Sequence, residues 1–453
     1  MSEILRDASN THHNQYQLMR ERRFAPFFWT LFLGATNDNI FKVGFTSLLT
    51  FDAVAFGNVN AQSAAFIISA IFILPFVLFS ATSGQIADKY DKARLTRLVK
   101  LFEIGIMALG TVGYLTHNVG ILYACTFMMG MHSTLFGPVK YAYLPQHLKS
   151  DELVGGNGIV ESGTFIAILV GTIAGGEAAS AGEHGALVLS LFCIGVAIAG
   201  RVFAGFVPPS PAPAENLAIN WNPLTETARN LRLAATDRTL FVSLLGISWL
   251  WFVGATLLTS FFSFAKDILG ANADVVTMLL ATFSIGIGVG SLLCERLSGK
   301  QVEPGLVPLG AIGMTIFAAD LFFASHRAPH VEALAGIGAF LSSGAHWRVL
   351  IDLLLLSVSG GIYSVPLYAM IQSRSQTTHR ARMIAANNIL NSLFMIVSSL
   401  MALGLTALHV SIPGIYLTTA VLNIVVTGAL FYAVPEFPRR FTAWLKARRA
   451  PRA

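Results

Sequence analysis

The stretch Ala35–Lys42 reads ATNDNIFK and breaks an otherwise apolar run from Phe27 to Phe51. Its Asp38 and Lys42 stand four residues apart, so a helix puts a carboxylate and an ammonium on one face, flanked by Asn37 and Asn39. Such groups hold an ion or a charged head group; they contain no nucleophile. A second set is His132, Lys140 and Tyr141, followed by Asn157 and Glu161, again four apart. A third is polar but uncharged: Tyr363, Gln372, Asn387, Asn388 and Asn391. A fourth is the acid–base run GQIADKYDKAR, Gly84–Arg94, echoed by SLLCERLSGK, Ser291–Lys300, which pairs Asp88/Lys89 with Glu295/Arg296. Acyl-transfer chemistry on a glycerol hydroxyl would need H-x-x-x-x-D, a histidine to activate the hydroxyl and an acid to orient it. HLKSDE misses it: His147 to Asp151 is one residue short, and Glu152 is the wrong acid. There is no G-x-S-x-G and no Gly-rich nucleotide loop. The chain reads as a non-enzyme without a cofactor.

The elements that position these groups follow from composition. Of 453 residues, 54% are hydrophobic and only 12% charged, with mean hydropathy +0.64. Soluble domains carry about 25% charged residues, so this chain cannot cover a water-facing surface; it reads as an all-α polytopic membrane protein. Twelve apolar segments are long enough to span: near 25–51, 61–83, 95–115, 118–145, 155–181 and 184–207, then 239–265, 273–295, 304–325, 347–372, 380–408 and 411–434. The expected organisation is an N-terminal segment 1–24, a six-helix bundle 25–207, a Pro-rich linker 208–238 with a surface helix over 223–235, a second bundle 239–434 and a basic tail 435–453. The first 23 residues are polar and give no cleavable signal peptide. Cys125, Cys193 and Cys294 lie in apolar runs and suggest neither a disulfide framework nor a metal site.

Basic residues crowd alternate connections: Lys89, Lys92, Arg94, Arg97 and Lys100, then Lys149, Arg229, Arg232, Arg238, Arg296, Lys300, Arg374, Arg380, Arg382 and the tail. The other connections carry Lys266, Arg327 and Arg348. The positive-inside rule then puts both termini and the linker in the cytoplasm. The net charge of +6 is an orientation signal, not a nucleic-acid signal. The two halves echo each other again in GPVKYAYLPQ and SVPLYAMIQ, and in NGIVES and NNILNS. Repeated six-helix halves argue for a transporter with its site between them.

Two readings of each polar set stay open. Asp38, about 13 residues into its span and so roughly 20 Å deep, either faces a central cavity or pairs privately with Lys42. Lys140 and Glu161 form a polar floor, with the ammonium drawing phosphate, or a bridge locking spans four and five. A lone His132 is more naturally packed than titrating, and Glu103 could reach the cytoplasmic charge cluster. Asp320 and Asp352 lie toward the outer side without a role.

Twelve spans in two halves, a long linker and the acid–base loop after span two resemble the major facilitator superfamily, whose loop reads G-x-x-x-D-[RK]-x-G-[RK]-[RK]. Gly84, Asp88, Lys89 and Lys92 match; Asp91 replaces the second glycine, and Ala93 the last basic residue, with Arg94 beside it. Within it, GATNDNIFK, GPVKYAYLPQHL, DELVGGNGIVESGTFIAILVGTIAGG and GGIYSVPLYAMIQ are similar to bacterial lysophospholipid transporters. The resemblance implies a major facilitator fold of twelve helices in two pseudo-symmetric bundles. It implies a gate at Gly84, Asp88, Lys89, Lys92 and Arg94, with Glu295 and Arg296 as its echo. It also implies an alternating-access flippase, acting as a monomer in the bacterial inner membrane. The cargo would be lysophospholipid moved to the inner leaflet, with H+ or Na+ as candidate coupling ion and a separate acyltransferase to re-acylate it. The polar residues within the spans make the candidate binding set Asn37, Asp38, Asn39, Lys42, His132, Lys140, Tyr141, Asn157, Glu161, Tyr363, Asn387 and Asn391. Span seven departs from the better-known members: WLWFVGATLLTSFF, Trp249–Phe262, has no cation. A multidrug or solute exporter of the same fold and, more remotely, a membrane acyltransferase are the alternatives.

Overall fold

The computed structural model describes residues 14–51, 55–57, 61–326 and 334–449; Arg327, much of the N-terminal segment and the last four residues lie outside them. Twelve long helices form two sets of six. The first is α1 (Ala25–Phe51), α2 (Ala61–Lys89), α3 (Lys92–Leu115), α4 (Val119–His147), α5 (Leu153–Ala179) and α6 (Gly185–Gly205). A linker with α7 (Pro223–Ala235) leads to α8 (Arg238–Ser263), α9 (Ala273–Ser298) and α10 (Leu306–His326). Short α11 (Ile337–Ser342) precedes α12 (Gly344–Arg374), α13 (Arg380–Ala407) and α14 (Ile412–Ala433). The tail forms α15 (Glu436–Arg449), a helix the sequence reading had left as a plain basic tail.

Eleven of the helices among the described residues are long and apolar enough to cross a membrane. The exception among the twelve is α1, which has the length but carries Asn37, Asp38, Asn39 and Lys42 in its middle. It is nonetheless central, packed along α5 and α6. Its phenylalanines face protein: Phe27, Phe41 and Phe45 are fully buried.

Helix ends follow local chemistry. Asp91 caps α3 by accepting from Arg94 N (2.7 Å), and Asn222 caps α7 ahead of Pro223. The α9 helix stops at Gly299, whose φ of +63° suits a residue without Cβ. The basic connections α2–α3, α4–α5, α6–α8, α9–α10 and α12–α13 collect at one end of the molecule, here called the basic end. The linker is threaded there: Asn220 exchanges two hydrogen bonds with the Gln85 amide (2.8 and 3.0 Å), and Lys89 Nζ donates to Leu217 O (2.8 Å).

Two long seams join the halves, α5 along α9 and α2 along α13. Small residues make them close. A Cβ on Gly158 would sit 2.6 Å from Ser291 O, and one on Gly84 would sit 3.0 Å from Arg382 Cα. Within the second half, a Cβ on Gly290 would collide with the Val358 carbonyl. Gly290→Val should therefore cost about 1–3 kcal/mol of stability through overpacking, read as a drop of several degrees in the thermal midpoint of purified protein. An unchanged midpoint would mean that α9 and α12 slide apart freely.

Candidate functional site

On α1 the four polar residues part company. Asn37 is fully buried and donates to Glu103 Oε1 on α3 (2.7 Å). Asn39 turns back on its own helix, donating to Ala35 O (2.7 Å). Asp38 and Lys42 are half-buried. Asp38 accepts from Ser133 Oγ of α4 (2.6 Å), while Lys42 Nζ lies 4.1 Å from the centre of the Phe72 ring on α2. They form no direct ion pair among the described residues: each charge is met first by a neutral neighbour. A hydroxyl and a ring leave most of their charge unanswered, and Asp38 Oδ1 has no partner among the described residues.

His132 is not solitary. Its Nε2 lies 3.2 Å from Glu103 Oε2, which also accepts from Lys100 Nζ (2.6 Å). Glu103 thus reaches the innermost member of the basic run after α2, Lys100, but does so inside the first half, with both side chains fully buried.

Toward the basic end, Lys140 donates to Thr164 Oγ1 (2.9 Å) and stands 3.5 Å from Glu161 Oε1. Tyr141 donates to the same carboxylate and stacks on Tyr368 of the other half, ring centres 4.3 Å apart and nearly parallel. Below them Asn157 and Gln372 exchange two amide hydrogen bonds across the halves (2.6 and 2.9 Å). Gln372 was expected only as an uncharged facing group; its partner is visible only once α5 and α12 are side by side.

The second half contributes neutral polar groups. The Asn391 amide, oriented to satisfy both its atoms, donates to Ser248 Oγ (2.8 Å) and accepts from Asn387 Nδ2 (3.0 Å) and Trp251 Nε1 (3.2 Å). Tyr363 is buried with its hydroxyl unpaired among the described residues. In the uncharged Trp249–Phe262 stretch of α8, Trp249 donates to Asn423 of α14 (2.7 Å).

At the basic end Asp88 is fully buried. It accepts from Ala381 N (3.1 Å) and Arg382 Nε (3.1 Å), capping the N-terminus of α13 with a charge of the sign that terminus favours. Lys89 binds the linker instead, and the Lys92 side chain is buried without a hydrogen bond among the described residues. The Arg94 side chain is exposed. The echo holds in altered form. Glu295 lies where a Cβ on Gly155, in the first turn of α5, would come within 3.3 Å of its Oε1. It also accepts from Gln15 N (3.4 Å), while Gln15 Nε2 donates to Leu292 O (3.1 Å). Arg296 makes no ion pair among the described residues. The Gln15 segment continues to Arg23, whose guanidinium grips Glu152 with two bonds (2.6 and 2.7 Å) and holds that carboxyl below its ordinary range. The sequence signal for this segment was weak, because a polar N-terminus reads as solvent-facing.

Fold and site together define a two-bundle membrane transporter: the sequence model of the Major Facilitator Superfamily matches residues 27–331, and the chain belongs to that superfamily. Among characterised relatives it is similar to the lysophospholipid transporter LplT of Enterobacter sp. strain 638, 29% identical over 328 residues, 71% of this chain and 75% of that one. The LplT of Klebsiella pneumoniae subsp. pneumoniae is 27% identical over 354 residues, 76% and 80% of the two chains. The fold matches the E. coli fucose:proton symporter FucP (TM-score 0.67, 15% identity, 91% of this chain and 98% of that one). It also matches a bacterial homologue of the iron transporter ferroportin in an outward-facing state (TM-score 0.64, 14% identity, 89% and 99%). Both structural matches speak to fold alone. No group of metal-ligating side chains occurs among the described residues.

Removing one partner of a buried ion pair costs about 3–5 kcal/mol, much of it from stranding the other charge. Asp88→Asn should accordingly lower the thermal midpoint and impair transport, and adding Arg382→Gln should recover part of both. Simple addition of the two losses in a double-mutant cycle would show that Asp88 and Arg382 do not act as a unit.

Proposed function

We propose that this transporter is a flippase for lysophospholipids such as lysophosphatidylethanolamine, carrying them from the outer to the inner leaflet of the bacterial inner membrane. The observation that carries the reading is the state of Asp38 and Lys42. They are a carboxylate and an ammonium one helical turn apart, partly buried, and in direct contact neither with each other nor with another charge among the described residues. A zwitterionic head group has an ammonium and a phosphate to offer them. Ionisable groups left in this condition at membrane depth are functional by default, since leaving them there costs several kcal/mol. Likeness to the two LplT proteins supports the same cargo. Lys140 and Glu161, with Thr164 and Tyr141, form a second charged level that the head group meets as the basic end opens. Tyr363, Asn387 and Asn391 supply neutral polar contacts from the other half. With no cation from Trp249 to Phe262 on α8, Lys42 and Lys140 are the phosphate partners.

In this reading the basic end is cytoplasmic and closed. Asp88 with Arg382, Asn157 with Gln372, and Tyr141 on Tyr368 are the ties that break when it opens, while Glu295 and the Gln15 segment brace the α5–α9 seam. The protein works as a monomer, a separate acyltransferase consumes the delivered cargo, and an H+ or Na+ gradient is the candidate drive.

The transport test uses purified protein in vesicles with labelled lysophosphatidylethanolamine. The unmodified protein should move the lipid. Asp38→Asn, which keeps size and removes charge, should reduce the rate by at least about tenfold, a loss of roughly 1.4 kcal/mol of transition-state stabilisation. Uptake of a soluble compound, with no lysophospholipid moved, would leave the exporter alternative in its place.

Orientation is tested separately by single cysteines at Glu183 and Glu215, both exposed. The three native thiols are buried and should stay silent. In intact cells an impermeant reagent should label position 183 and spare 215; the reverse pattern would invert the topology.

A further inference from the structure

The cluster around Glu103 has no place in the transport path described above, yet it is the most completely buried set of charges in the molecule. Lys100, Glu103 and Asn37 have no exposed surface, and His132 has almost none. Each Glu103 oxygen has its own hydrogen-bond donor: Oε1 receives Asn37 Nδ2 (2.7 Å), and Oε2 receives Lys100 Nζ (2.6 Å), with His132 Nε2 at 3.2 Å. The Lys100 stem is threaded between helices by two glycines. A Cβ on Gly34 of α1 would stand 2.5 Å from Lys100 Nζ, and one on Gly200 of α6 would stand 3.5 Å from Lys100 Cδ. Burying an ion pair seldom stabilises a fold beyond what well-packed apolar residues of similar volume would do. Its use must then lie in what it orients.

What it orients is α1. Asn37 is adjacent to Asp38, and its only side-chain bond among the described residues is the one to Glu103, since its Oδ1 has no partner. Successive residues on a helix are turned about 100° apart. Fixing Asn37 against α3 therefore fixes the direction of Asp38, which meets α4 at Ser133. Glycines of α5 already hold α1 close, since a Cβ on Gly171 would collide with Thr36 O and one on Gly175 would stand 2.6 Å from Ile40 O; the bond to a buried carboxylate adds a directional contact on the α3 side that this packing lacks.

We propose that Glu103 is a positioning residue for the transport site. Its carboxylate, neutralised by Lys100, tethers Asn37 and so sets the rotation of α1 that presents Asp38 and Lys42 to cargo. The proposal deepens the reading of Asp38 as the head-group contact and rests on it.

The test separates tether from charge. Glu103→Leu with Lys100→Met removes both charges at similar volume and should fold, with a thermal midpoint close to that of the unmodified protein. Glu103→Gln with Lys100→Met is equally neutral but keeps an oxygen that can accept from Asn37. The first pair should raise the apparent KM for lysophosphatidylethanolamine by about fivefold or more, the equivalent of losing about 1 kcal/mol; the second should restore it to within about twofold. Asn37→Leu should reproduce the first pair and add nothing when combined with it. A second readout needs no cargo. Asp38→Cys, labelled by a charged thiol reagent, should react several-fold more slowly in the Leu/Met background and normally in the Gln/Met background. This labelling pattern survives even if the cargo is not a lysophospholipid, so failure of the function and failure of the tether are told apart. Equal labelling and transport in all backgrounds overturns the proposal. So does a Gln/Met variant as impaired as Leu/Met, or a loss from Asn37→Leu that adds to the Leu/Met loss.

Discussion

A carboxylate at membrane depth costs several kcal/mol unless the protein itself answers the charge, and much of this structure is organised by how completely each one is answered. Asp88 has a guanidinium and a backbone amide. Glu103 has an ammonium and a carboxamide. Glu161 has a phenol and, at longer range, an ammonium. Asp38 has a single hydroxyl. The order matches the proposed roles: fully answered acids hold helices in place, and the poorly answered one is the proposed head-group contact.

The same ordering sorts the molecule along its axis. The acids at the ends of α2 and α9 reach across to the first turns of helices in the opposite half, α13 and α5, where partial positive charge collects. These contacts need helices close enough for backbone and carboxylate to meet, and Gly84, Gly155 and Gly158 allow it. Closure at the basic end therefore depends on small residues as much as on charge. Side chains at those glycines would hold the seams open even with every ion pair intact.

The sealed cluster on α3 and the open pair on α1 are two sides of one helix. Asn37 looks inward to Glu103, while Asp38 and Lys42 look toward Ser133 and Phe72. A polar tetrad that is a single feature along the chain is in space a fastening beside the proposed binding surface. The same division explains why the asparagines accompany Asp38: one ties α1 to a neighbour, and the other bonds its own backbone.

The chain alone determined what depends on short stretches: membrane class, twelve long helices in two sets, the α7 surface helix and the family. Hydropathy, capping residues and motif spacing are local, and they survive without knowledge of neighbours. Tertiary structure decided the partners. It separated Asp38 from Lys42, enclosed Glu103 with Lys100 and His132, left the Arg94 side chain exposed, turned Glu295 toward Gln15, joined Gln372 to Asn157 and folded the tail into α15. Each of these depends on how a helix is rotated about its own axis and how near its neighbour stands. That rotation is set by close contacts between residues tens to hundreds of positions apart, at glycines whose neighbours no local pattern records.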